Sequence, residues 1–334
     1  MPKSAHARLK AELAEATAAY NHLNAQLREV TNSTRGSRDP LVQLGLELLR
    51  GKVGAAEIRY SRAFKALSRA EAPYDNAFAT FVTPKTRSNH TPIDVGAHTE
   101  TGPVRERNED NIYVDPALGF AIVCDGMGGH NGGELASTLA METVAGALLA
   151  SRNDGHPAHR LEDAAQQAQA AVLEAGRSSP QLRGMGTTLV AALIDEGKAY
   201  IVSVGDSRAY LVKDAKKATL LTSDETHAGV LFSKGLISWE QFTKHPQRNK
   251  LLRAIGSPWK ITAELDYAIQ LRVVPVRVGD RLVLCTDGVS ESLMPNDIAA
   301  LAQGPLREAV RKMVKVALSR DGGDNATVAI LEVR

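Results

Sequence analysis

Several absences narrow the reading of this chain before any motif is considered. It has only two cysteines in 334 residues, Cys124 and Cys285, too few for a disulfide framework. Each sits in an apolar run, so both read as buried thiols packed like small hydrophobes. No run approaches the roughly eighteen consecutive apolar residues of a membrane span. The opening Met1-Pro-Lys-Ser-Ala-His lacks the apolar core of a signal peptide, and a cytoplasmic location is expected. Charge of one sign is also missing: 40 basic and 38 acidic residues leave a net charge of +2. That balance supports neither a nucleic-acid track nor attraction to an anionic membrane. There is no Walker-type phosphate loop. Partners must therefore be argued from a site.

What is present divides into two parts. Leu9, Leu13, Ala16, Tyr20, Leu23, Leu27 and Val30 alternate spacings of four and three, as do Val42, Leu46, Leu49, Val53, Ala56, Tyr60, Ala63 and Leu67. This is the period of a coiled-coil seam. Asp39-Pro40 between the two series suits a helix N-cap followed by an N1 proline. Residues 1–72 are thus expected to form a helical, coiled-coil-like hairpin, although Gly45, Gly51 and Gly54 weaken its second arm. Its narrow apolar stripe would gain from self-association or from docking a partner. Residues 73–92, with Pro73, Pro84 and Pro92, read as a linker.

From residue 93 onward the pattern changes. Strand-length apolar runs occur at 120–124, 189–194, 199–204, 208–212, 281–285 and 327–333. Amphipathic helical stretches lie at 133–150, 160–176 and 305–319. The grouping is α+β, with two antiparallel sheets flanked by helices. Two of the strand runs end in Asp-Gly: Phe120-Ala-Ile-Val-Cys-Asp125-Gly126 and Arg281-Leu-Val-Leu-Cys-Thr-Asp287-Gly288. A third acidic segment is Asp321-Gly-Gly-Asp324-Asn325. An aspartate released from a buried strand beside a bare glycine has a fixed backbone and an open approach. Several on one sheet edge would form an oxygen cage for a hard divalent cation. Taken singly, each is equally a turn-forming Asp-Gly or Asp-Asn.

In order, Gly102-Pro-Val-Arg105-Glu-Arg-Asn-Glu109-Asp110-Asn, Asp125-Gly-Met-Gly-Gly-His130, Gly184-Met-Gly-Thr-Thr188, Val204-Gly-Asp206-Ser-Arg208, Leu252-Arg-Ala-Ile-Gly256, Cys285-Thr-Asp287-Gly and Asp324-Asn-Ala-Thr327 resemble the bacterial-type metal-dependent serine/threonine phosphatases, type 2C. The resemblance covers residues 93–334, about three-quarters of the chain. It implies a four-layer α-β-β-α sandwich and hydrolysis of phosphoserine or phosphothreonine in proteins by direct attack of a two-metal-activated water. It also implies Mn2+ or Mg2+, two ions with scope for a third, and a partner Ser/Thr kinase.

By the same resemblance, Asp125 bridges two ions and Gly126 contributes its carbonyl. Asp287 and Asp324 hold one of the ions, and Glu109 holds the other through water. Arg105 grips phosphate, for which a guanidinium fork is suited. Asp206 is either a ligand of a weaker third ion or part of a turn. Asp110 is an auxiliary ligand or a support, with Asn325 beside Asp324. Met127 stands where some relatives carry a histidine acid, and His130 is read as a structural hydrogen-bonding residue, so the leaving-group acid is unassigned. Glu225 replaces a usual histidine at the start of a flap running to about Arg248, which bears on substrate contacts. Two other classes remain: a catalytically silent binding module, which would lack metal carboxylates, and a hydrolase of other phosphoesters.

Overall fold

A computed structural model describes residues 78–81 and 92–334, apart from 129–131, 153–154, 179 and 259–268, together with isolated positions between 11 and 30. Those isolated positions are helical. Leu23 and Val30, both on the proposed seam, are half-buried, whereas Glu15, His22 and Gln26 are exposed. The rest of the hairpin reading lies outside the described residues.

Two antiparallel sheets are built from strands with long apolar runs. One has the order β1-β2-β13-β12-β9-β10, from Phe78–Phe81, Ile93–Glu100, Ala326–Val333, Arg281–Cys285, Arg208–Val212 and Ala218–Leu220. The other has the order β11-β8-β7-β4-β3, from Gln270–Pro275, Lys198–Val204, Leu189–Asp195, Phe120–Cys124 and Asn111–Asp115. The period of two divides each strand between two interiors. Val95, Ala121, Val123, Val190, Ile201, Leu211, Leu282, Leu284 and Leu331 share the core between the sheets. Tyr210, Val283, Cys285, Val328 and Ile330 instead meet the helices on the outer face of the first sheet. Those helices are α5 (Asp287–Ser290), α6 (Pro295–Leu301) and α7 (Leu306–Arg320). Helices α1 (Gly132–Ala150) and α2 (Pro157–Ser178) cover the second sheet. The result is the four-layer α-β-β-α sandwich. Gly96 of β2 lets α7 pack closely, because a Cβ there would lie 3.0 Å from the Leu306 Cβ.

The strand runs expected at 120–124, 208–212 and 281–285 are β4, β9 and β12. The stretch read as linker contains β1, which pairs with β2 from Phe78↔His98 to Phe81↔Val95. Phe-Ala-Thr-Phe has strand-forming residues, and it lies between Pro73 and Pro84, on which the linker reading rests. The chain divides after Asp75 into two compact units, and β1 belongs with the sandwich. Among the described residues no helix is long and apolar enough to cross a membrane. Both cysteines are free and buried. Burial pushes both thiols up, Cys285 to about 12.

Candidate metal and phosphate site

The acidic residues meet at one end of the sandwich because the strands that carry them end there. Asp125 follows β4 and is held from both sides of its peptide. Its N–H donates to Thr188 Oγ1 (2.9 Å), and its carbonyl accepts from the Thr188 N–H and from Thr187 Oγ1, both at 2.8 Å. Gly126 opens the two-residue strand β5, paired with β6 (Gly186–Thr187). A Cβ on Gly126 would lie 2.2 Å from the Gly133 carbonyl and 2.7 Å from that of Glu109, so only glycine fits this crossing of three backbone segments.

Asp287 starts α5 directly after β12, and one of its buried oxygens has no hydrogen-bond partner. Its carboxyl lies beside that of Asp125. Asp110, after Glu109 in the segment leading into β3, is buried. Its Oδ2 accepts from Thr327 Oγ1 (2.6 Å) and Thr286 Oγ1 (3.0 Å), while Oδ1 is buried without a partner. Asp206 lies buried in the turn between β8 and β9, where Gly205 has φ +97 and faces Thr188.

Asp324 and Arg105 form an ion pair, Nη2 to Oδ2 at 2.8 Å, and Arg105 Nε also donates to the Gly323 carbonyl. Asn325 latches the preceding loop. It accepts from the Glu109 N–H at 2.9 Å and donates to the carbonyls of Thr101 and Arg107, each at 2.9 Å. The Glu109 carboxylate lies against the first turn of α1, in the space that a Cβ on Gly133 would take. His130 lies outside the described residues.

Electrostatics mark this cluster as short of positive charge. Burial raises the Asp125 carboxyl well above its ordinary range, and Asp110, Asp287, Asp206 and Asp324 add repulsion. Burial, then Asp287 and Asp224, does the same to Asp206. Asp287 is pushed up to about 6 by burial and by Asp324 and Glu291. Asp110 is pushed up to about 7, chiefly by burial and despite its two threonine donors. Burial also raises Glu109. Buried carboxylates that repel one another while keeping unpartnered oxygens fit a hard cation, which takes oxygen ligands and relieves the repulsion. Among the described residues no three His, Cys, Asp or Glu groups stand ready in ligand geometry. The fit rests on the donor chemistry and the orphaned oxygens.

Thr188, Thr286, Thr327 and Asn108 support the site but were not assigned roles from sequence. All four lie inside the motif segments, and the partner of a hydroxyl or amide is visible only in three dimensions. Asn108 donates to Thr99 Oγ1 (2.7 Å) and accepts from the Asp110 N–H (3.1 Å). Glu225 is fully buried. Its Oε2 accepts from the Gly205 N–H (3.0 Å), and Oε1 lies 3.5 Å from Arg253 Nη1. The flap closes at its base through the Thr226↔Leu251 bridge. It carries α3 (His227–Ser233) and α4 (Trp239–Thr243).

The fold and this carboxylate-lined end define a phosphatase-type sandwich. The chain belongs to the protein phosphatase 2C family, whose model matches residues 104–331. It is similar to the serine/threonine protein phosphatase PstP of Mycobacterium tuberculosis, 34% identical over 242 residues that cover 71% of this chain and 44% of that protein. It thus spans less than half the length of that relative. It is also 34% identical to the serine/threonine phosphatase stp of Listeria monocytogenes, covering 70% of this chain and 93% of that one. Among solved structures, the catalytic domain of PstP in complex with 2 manganese ions superposes with a TM-score of 0.61 at 31% identity, covering 72% of this chain and 98% of that domain.

Proposed function

We propose that the protein is a metal-dependent serine/threonine protein phosphatase that hydrolyses phosphoserine and phosphothreonine by direct attack of water activated at a two-ion centre. The observation that carries this reading is the group of buried, mutually repelling carboxylates on Asp125, Asp287, Asp206 and Asp110, with oxygens of Asp110 and Asp287 left unpartnered. Manganese in a similar domain supports the choice of ion. Asp125, the Gly126 carbonyl, Asp287 and Asp324 would hold Mn2+ or Mg2+, with Glu109 acting through water and Asp206 at a third position. When bound, the ions supply Lewis acidity and a water that is acidic near neutral pH.

This chain's own residues do the remaining work. Thr187 and Thr188 fix the Asp125 backbone, and Asn325 fixes the segment carrying Arg105 and Glu109. Arg105, half-exposed at the rim, presents two donor edges to phosphate oxygens once it exchanges Asp324 for substrate. Neither cysteine suits a phosphoenzyme, because burial keeps both thiols protonated. The intact carboxylate set argues against a silent binding module. The seam of residues 1–72 supports a role in self-association or in docking a partner such as a Ser/Thr kinase.

The test is hydrolysis of a phosphothreonine peptide in Mn2+, in EDTA, and by Asp287→Asn in Mn2+. Turnover confined to the wild-type protein with metal is expected. Turnover that persists in EDTA would sink the metal-dependent reading, and hydrolysis of nucleotides in preference to phosphopeptide would move the substrate class.

A further inference from the structure

Arg208 lies two residues beyond Asp206, and only 7% of its side chain is exposed. Its Nε and Nη2 donate to the two carboxylate oxygens of Asp224 at 2.9 and 2.7 Å. Its Nη1 donates to the Ser290 carbonyl (3.2 Å) and the Tyr210 hydroxyl (3.3 Å). The guanidinium carbon also lies 5.6 Å from the Trp239 ring centroid and 5.4 Å from that of Phe242, within cation–π range. A buried ion pair alone is weak evidence for stability. What distinguishes this one is where its partners reside. Asp224 precedes the flap, Trp239 and Phe242 belong to the flap's α4, and Ser290 closes the short helix that Asp287 begins.

These contacts also frame a cavity of about 60 Å³ with mixed walls. Asp206 and Asp287 line one side, and Phe242, Thr243 and Arg248 of the flap line the other. A planar fork that bonds edge-on to a carboxylate and a carbonyl while its face meets two rings fixes the spacing of those walls. A lysine, a point charge with no plane, cannot make all these contacts at once.

We propose that Arg208 is a positioning residue that registers the flap against Asp206 and Asp287, setting how a peptide is received beside the phosphate site without taking part in phosphoryl transfer. The proposal rests on the phosphatase reading above and adds to it the device that sets peptide affinity.

The chain has two tryptophans, Trp239 and Trp259, so a Trp259→Phe background leaves Trp239 as the reporter of the clamp. In that full-length background, Arg208→Lys, Phe242→Leu and Phe242→Tyr are compared by acrylamide quenching of Trp239 and by Mn2+-dependent kinetics. The substrates are a phosphothreonine peptide and a small aryl phosphate. For Arg208→Lys, the peptide KM should rise about tenfold, with kcat and aryl phosphate turnover within about threefold of the parent. Trp239 quenching should increase. Phe242→Leu, which leaves the Arg208–Asp224 pair intact, should reproduce the pattern, and Phe242→Tyr should restore the parental values.

Equal losses on both substrates would overturn the proposal, because Arg208 would then act on the ion-holding centre or on the fold as a whole. Unchanged Trp239 quenching in Arg208→Lys would overturn it as well. If Arg208→Lys does not fold, Phe242→Leu decides by the same criteria. If the parent hydrolyses neither substrate, the phosphatase reading falls and quenching alone judges the clamp.

Discussion

At the scale of single residues, Asp287 is a carboxylate that is costly to the metal-free protein and that the proposed metal centre requires. Burial, with repulsion from Asp324 and Glu291, pushes it up to about 6. Asp287→Asn should therefore leave the melting temperature in EDTA at pH 8 equal to or above that of the wild type. In saturating Mn2+ the order should reverse, because the variant loses a ligand. Turnover should fall by about a hundredfold or more, since metal charge stabilisation is worth several kcal/mol and each ~1.4 kcal/mol is tenfold. Parallel melting curves and phosphopeptide kinetics check both halves. Arg105 should behave differently: its guanidinium is half-exposed and paired with Asp324, so Arg105→Lys should raise the phosphopeptide KM about tenfold with little effect on melting.

Among elements, the segment from Thr101 to Glu109 has no regular structure, yet it carries two proposed site residues. Its order comes from Asn325, at the entry to β13, through three hydrogen bonds. Asn325→Ala leaves the Glu109 N–H and two carbonyls without these partners. It should cost about 1–3 kcal/mol, with faster amide exchange confined to residues 101–110. Exchange that rises uniformly would indicate that Asn325 supports the whole sheet instead. The same scale explains which strands were legible. Continuous buried runs such as Phe120-Ala-Ile-Val-Cys124 identify themselves by composition. β2, with Asp94, Gly96, His98 and Glu100 among its eight residues, does not. Edge strand β11 is largely exposed and lacks the apolar pattern that would mark it.

Considered as a whole molecule, the metal-free protein carries a store of carboxylates whose folded-state acidity is weakened. For a group raised in the folded state, stability is fully present below its unfolded value and is lost as pH rises through the folded value. Asp287 at about 6 and Asp110 at about 7 place that window between about pH 4 and pH 7. Stability measured in EDTA should therefore decline from pH 5 to pH 8. Saturating Mn2+ should flatten or reverse the decline, because ligands must be deprotonated to bind. Chemical denaturation across pH, with and without metal, is the measurement. At the N-terminal end, light scattering on the full chain and on a chain beginning at Asn76 compares their masses. The cut falls there because β1 pairs with β2. A dimeric full chain with a monomeric shortened one is expected if the heptad seam pairs between copies. Equal monomeric masses would remove self-association and leave partner docking.

The sequence by itself determined the α+β class, the continuous buried strands and the candidate carboxylates, and its motifs implied the sandwich only through the family they resemble. Buried strands need apolar runs, and several carboxylates released at the ends of such runs make an oxygen cage where one alone could be a turn. Tertiary structure decided what no spacing encodes. It buried Glu225 against the Gly205 backbone and Arg253, and it gave Asp110 two threonine donors from β13 and the end of β12. It brought Arg208 between Asp224, Ser290 and the flap's aromatic rings. The physical reason is common to these cases. Hydrogen-bond partners and the sign of local repulsion depend on which groups meet across more than a hundred residues of chain, as Asp110 meets Thr286 and Thr327, and that is fixed only when the sheets pair.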